Sequence, residues 1–89
     1  MERNWIPKRI DGLDVNELPD GYIIYQKEGD RVHYLNPTAV LVFEMCDGQV
    51  TADAIPDLLK QAYALPEAPT ADVDACLTKF LDEGLIRSV

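Results

Sequence analysis

The side chains able to do chemistry are few and poorly spaced for it. His33 is the one histidine of the chain, and Cys46 and Cys76 stand 30 residues apart with no CxxC neighbour. A zinc site draws three or four such ligands from a defined spacing, so His33 reads as a structural or surface residue. Both cysteines fall on apolar helix faces and read as small buried hydrophobes. A disulfide between them requires that the first and third predicted helices touch at those positions. Two acidic pairs, Asp72/Asp74 and Asp82/Glu83, have the residue types of a general acid–base dyad. The first suits the start of a helix, whose dipole favours negative charge. The second lies at the disfavoured end and reads as a solvated face. No nucleophile stands with a base, and no glycine-rich loop could cradle a phosphate. The expectation is a protein without catalysis, cofactor or metal.

Composition narrows the partners. The chain has 89 residues, 16 acidic against 8 basic, for a net charge of −8, and 47% of it is hydrophobic. That length suits one domain over residues 1–89, with residues 1–11 as a flexible lead-in. The apolar content is enough for a core and too high for a disordered tail. The acidity argues against nucleic acid, where phosphate contacts want Lys or Arg, and against anionic membrane. No stretch approaches the ~18 apolar residues of a membrane span. The start, Met1 to Pro7, lacks the apolar run of a signal peptide. A cytoplasmic, reduced protein is expected.

The elements that must position any site come in two textures. Leu13 to Leu18 partly alternates apolar and polar residues, and Pro19-Asp20-Gly21 follows as a turn. Tyr22 to Lys27 is rich in β-branched and aromatic residues. Glu28-Gly29-Asp30 is a second turn, and Arg31 to Leu35 a third strand. Short turns between three strands predict an antiparallel meander. Asn36-Pro37 then starts a helix, Asn as cap and Pro at the first helical position. This helix is apolar nearly all round, which predicts the buried central helix, and Gly48 ends it. A second helix begins near Thr51, with Ile55, Leu58, Leu59, Ala62 and Tyr63 on one stripe and Pro56 near its start. After the Pro-containing linker at 64–69, Thr70 caps a third helix with Val73, Cys76, Leu77, Phe80 and Leu81 on its stripe. Gly84 ends it, and Leu85-Ile86 folds back on the core. The class is α+β: a three-stranded antiparallel sheet followed by three helices, with a winged helix-turn-helix outline.

That outline suggests DNA, but from Asp72 to Arg87 the third helix carries Asp72, Asp74, Asp82 and Glu83 against Lys79 and Arg87. Such a helix repels a phosphate-lined groove. The sheet offers more. A meander has two edges with unpaired N–H and C=O groups, and a peptide can add to such an edge as a further strand. On these residues alone, peptide capture and an unspecified interaction domain stand level.

Arg31-Val32-His33-Tyr34-Leu35-Asn36-Pro37-Thr38-Ala39, then Phe43 to Gly48, Thr51, and Phe80 to Ile86, together resemble the PqqD family (pyrroloquinoline quinone biosynthesis protein D-like) over residues 13–86. These are recognition elements for ribosomally made, post-translationally modified peptides. The resemblance implies no catalysis and a peptide chaperone. It would bind the leader segment of a precursor peptide as an added strand between the third strand and the third helix. It would then present the core segment to a modifying enzyme, often a radical S-adenosylmethionine enzyme. Carried onto this sequence, the third strand is Arg31, Val32, His33, Tyr34 and Leu35. The family motif does not fix which residues of the third helix, about Thr70 to Glu83, touch the leader; from the helix pattern, the flank beside the core stripe, Asp72, Cys76 and Lys79, is expected beside the guest, with Phe80 on the groove floor. Asp74, Thr78 and Leu81 form the alternative flank. A monomer or weak homodimer is expected. The competing readings are a winged-helix transcription factor and a scaffold subunit of an enzyme complex.

Overall fold

The computed structural model describes residues 5–27 and 29–89. Its strands are β1 (Pro7–Arg9), β2 (Leu13–Leu18), β3 (Gly21–Gln26), β4 (Arg31–Leu35) and β5 (Ile86–Ser88); its helices are α1 (Pro37–Met45), α2 (Ile55–Ala62) and α3 (Thr70–Asp82). The expected meander is the sheet β2-β3-β4, and the expected third strand is β4.

The turns between the strands hold its register. Leu18 pairs with Gly21 across the two-residue turn Pro19-Asp20, and Gln26 pairs with Arg31 across the second turn. Gly21 has a φ of +153°, and a Cβ there would be driven into the Leu35 carbonyl of β4. Only glycine lets β3 leave the turn and still lie this close to β4. Cross-strand partners share a face. Ile24, His33 and Leu35 therefore face the core and are buried, while Tyr34 and Val32 face outward.

Beneath the sheet lies α1, whose first turn is capped as expected: Asn36 Oδ1 accepts from the Ala39 N–H at 2.8 Å, with Pro37 at the helix start. Ala39, Val42 and Phe43 are its buried residues. On its far side Val73, Leu77 and Phe80 of α3 complete the core, Phe80 meeting Phe43 edge-on with ring centroids 5.6 Å apart. Gly84 takes a φ of +72°, and the next N–H, of Leu85, returns to the Phe80 carbonyl at 2.9 Å. Leu85 and Ile86 fold back into the core as expected.

Several local expectations are corrected. The lead-in expected to be flexible over residues 1–11 is hydrogen-bonded where it is described: β1 pairs with β5, and the Arg9 N–H reaches the Cys46 carbonyl at 3.0 Å. Residues 1–4 lie outside the described residues. α1 ends at Met45 with Cys46 as its cap residue, two residues before Gly48. The second helix opens with a 3-10 turn, Ala52–Ala54, before α2, since Pro56 fits only a first helical turn. On its stripe Leu58 and Tyr63 are exposed. Thr70 is the first residue of α3 and not its cap; Pro69 takes that place with no side-chain bond.

Candidate functional site at the open edge of the sheet

β4 forms one margin of the sheet, with β3 on one side and no strand on the other among the described residues. The register says which of its backbone groups are free. Bonded and non-bonded pairs alternate along an antiparallel ladder. A two-residue turn closes on a bonded pair, here Leu18 with Gly21, and counting from it makes Tyr22–Leu35, Ile24–His33 and Gln26–Arg31 the bonded pairs of β3 and β4. The N–H and C=O of Val32 and Tyr34 therefore point off the margin. Their side chains are 63% and 48% exposed on the outer face.

The end of α3 comes to β4 through polar contacts. His33 is buried; its Nδ1 lies 3.4 Å from Glu83 Oε1 and its Nε2 3.1 Å from Gln26 Oε1. Gln26 in turn donates to the Gly84 carbonyl at 3.4 Å. Glu83 was expected on a solvated face with Asp82. Only Asp82 is exposed, because the helix end turns Glu83 inward to His33. The missed signal is spacing: Glu83 stands four, seven and eleven positions after Lys79, Cys76 and Asp72, the periodicity of one helix flank.

Those three residues share an electrostatic neighbourhood. Burial pushes the Cys76 thiol pKa up, Asp72 raises it further, and Lys79 lowers it. Asp72 and Lys79 are exposed and Cys76 is half-buried against the core. Phe80 is 1% exposed, so it underlies this flank while offering a guest almost no surface. On the alternative flank Thr78 and Leu81 are exposed and Asp74 half-buried. Arg31 is exposed at the start of β4, and Leu35 is buried at its end. Both cysteines are free thiols. Among the described residues no group of His, Cys, Asp and Glu could hold a metal ion, and no helix is long and apolar enough to cross a membrane.

A small meander laid on three helices, with one margin open beside the last helix, defines an α+β domain of winged-helix outline. A solved structure of the same fold, described as "TbiB1 in Complex with the TbiA(beta) Leader Peptide", superimposes with a TM-score of 0.71 at 15% identity, covering 90% of this chain and 94% of that one. The family profile "Coenzyme PQQ synthesis protein D (PqqD)" matches residues 21–86, and the chain belongs to that family. No curated protein matches the sequence significantly.

Proposed function

We propose that this chain binds the leader segment of a ribosomally made precursor peptide as an added strand along β4 and presents the rest of the peptide to a modifying enzyme, with no catalysis of its own. The observation that carries this reading is the pair of outward-pointing backbone sites at Val32 and Tyr34, on a margin that no other strand covers among the described residues. A guest strand there gains main-chain hydrogen bonds, while alternate side chains set its identity. The side chains it turns inward run along Asp72, Cys76 and Lys79 above Phe80. Those it turns outward meet Val32 and Tyr34. Membership of the PqqD family and the leader peptide bound to the structural neighbour support the same reading.

The product is pyrroloquinoline quinone or a related modified peptide, and the enzyme served is a radical S-adenosylmethionine enzyme of the cytoplasm. The acidity of α3 weighs against the transcription-factor reading. The test is titration of isotopically labelled protein with a synthetic leader peptide of the precursor encoded beside its gene. The amides of Val32 and Tyr34 and of Asp72 to Phe80 are expected to shift together. Saturable binding that leaves all of them unmoved overturns the proposal.

A further inference from the structure

The opposite margin of the sheet is built differently. The same alternation that frees Val32 and Tyr34 on β4 directs the backbone N–H and C=O of Leu13, Val15 and Glu17 off the edge of β2. The side chains of these three residues face the core side; Leu13 packs against the core, while Val15 is left 44% exposed and Glu17 exposed. Between them and α1 lies a cleft of ≈ 370 Å³, lined further by Arg9, Ile10, Tyr22, Phe43 and Glu44. Its lining mixes the apolar Ile10, Leu13, Val15 and Phe43 with two carboxylates, one guanidinium and the Tyr22 hydroxyl.

Arg9, the cation in the lining, is engaged. Its guanidinium donates to the Phe43 and Glu44 carbonyls at 3.0 and 3.1 Å, lies over the Phe43 ring, and stands 3.7 Å from Glu44 Oε2. The Tyr22 hydroxyl donates to Glu44 Oε1 at 2.7 Å. Glu17 makes no hydrogen bond or ion pair among the described residues, and its charge acts on the Tyr22 hydroxyl. The cleft thus sets two carboxylates against one guanidinium that already serves the end of α1.

We infer that the β2 margin is a second strand-docking site, taking an extended segment of a partner protein in which a lysine or arginine stands beside aliphatic residues. The guest's main chain bonds to Leu13, Val15 and Glu17. Its inward aliphatic side chains rest on Leu13 and Val15, and its cation lies by Glu17 and Glu44. Charge decides among occupants. An acidic segment is repelled. A second copy of this chain would bring its own β2, which carries Asp14 and Glu17 and no cation. Because this margin and β4 lie on opposite sides of β3, two guests can be held at once, the peptide substrate on one and a basic segment of its enzyme on the other.

The test uses labelled protein and two capped peptides, one with two valines and a lysine at alternate positions separated by serines, so that all three share one face of an extended strand, and one with glutamate in place of the lysine. The lysine peptide is expected to shift the amides of Leu13, Val15 and Glu17 saturably, and the glutamate peptide to leave them in place. Glu17→Lys, a change at an exposed position, should weaken the lysine peptide about tenfold. The amide spectrum of that variant shows directly that the fold persists. Unmoved β2 amides, equal responses to the two peptides, or unchanged affinity in Glu17→Lys overturn the inference. Shifts confined to Val32 and Tyr34 overturn it too, and leave the proposal for β4 standing.

Discussion

His33 and Glu83 join the open margin of the sheet to the last helix: Nδ1 of the buried imidazole lies 3.4 Å from Oε1 of the carboxylate. That oxygen is sealed from solvent and has no hydrogen-bond partner among the described residues. With Gln26 on the second ring nitrogen and Gly84 behind Gln26, the contacts run from β4 through β3 to the turn after α3. They set where β4 stands relative to α3. Glu83→Ala should cost about 1 kcal/mol of stability by urea denaturation. The loss should vanish when His33→Phe is already present, since each change removes the same contact.

Val32→Pro and His33→Pro should behave differently although the residues are adjacent. The Val32 N–H points off the sheet, so its loss leaves the β3–β4 ladder intact and removes a donor for a guest. Calorimetric titration with the leader peptide should show binding weakened about tenfold, the worth of one hydrogen bond. His33 bonds to Ile24 in the ladder, so His33→Pro should lower the melting temperature of the free protein. Equal melting losses in the two variants would contradict the register.

Arg9→Ala should destabilise the chain by about 1–2 kcal/mol in urea, because two carbonyls at the end of α1 lose their donor and the Phe43 ring loses its cation. Arg9→Lys should recover only part of this. A lysine keeps the charge but lacks the planar fork that serves two carbonyls together.

Cys46 makes stability fall in alkali. Burial pushes its thiol from 9.0 up to about 12, so the folded state keeps its proton where the unfolded state has lost it. The folded pKa is the higher one. The contribution is therefore complete below pH 9 and declines between pH 9 and about 12, by about 1.4 kcal/mol per pH unit. Urea denaturation of Cys46→Ala across that range should show a shallower pH slope than the parent. In native protein at neutral pH a thiol reagent should modify half-buried Cys76 well before buried Cys46.

Gly21→Ala should cost more than 2 kcal/mol, roughly, and broaden the β4 amide resonances. The added methyl meets the Leu35 carbonyl, which is backbone and cannot swing aside. Gly29→Ala is the control. Its Cβ meets nothing closer than 3.6 Å, so only the strain of its φ of +88° remains, and its cost should be the smaller of the two.

Local signals made much of the fold legible. Pro19-Asp20-Gly21 placed the first hairpin, Asn36-Pro37 the start of α1, and Gly84 the end of α3, because each depends on the dihedral or hydrogen-bonding habit of one or two residues. β1 and β5 escaped notice for the same reason. Three residues each, they are strands only because residues 7–9 and 86–88 find one another across the length of the chain. Tyr63 shows the converse: helical spacing put it on an apolar stripe, yet it ends up exposed because no neighbour covers that end of α2.

The order of the meander and the three helices, the excess of acidic residues, and the strand that ends the sheet were all determined by sequence, since they follow from periodicity, composition and turn chemistry along the chain. Tertiary structure alone decided that Glu83 turns inward to His33 and that β2 overhangs a cleft lined by Glu17 and Glu44. Each of these depends on how far a helix reaches across a sheet. That reach follows from packing between residues distant in the chain, which the local pattern of side chains does not encode.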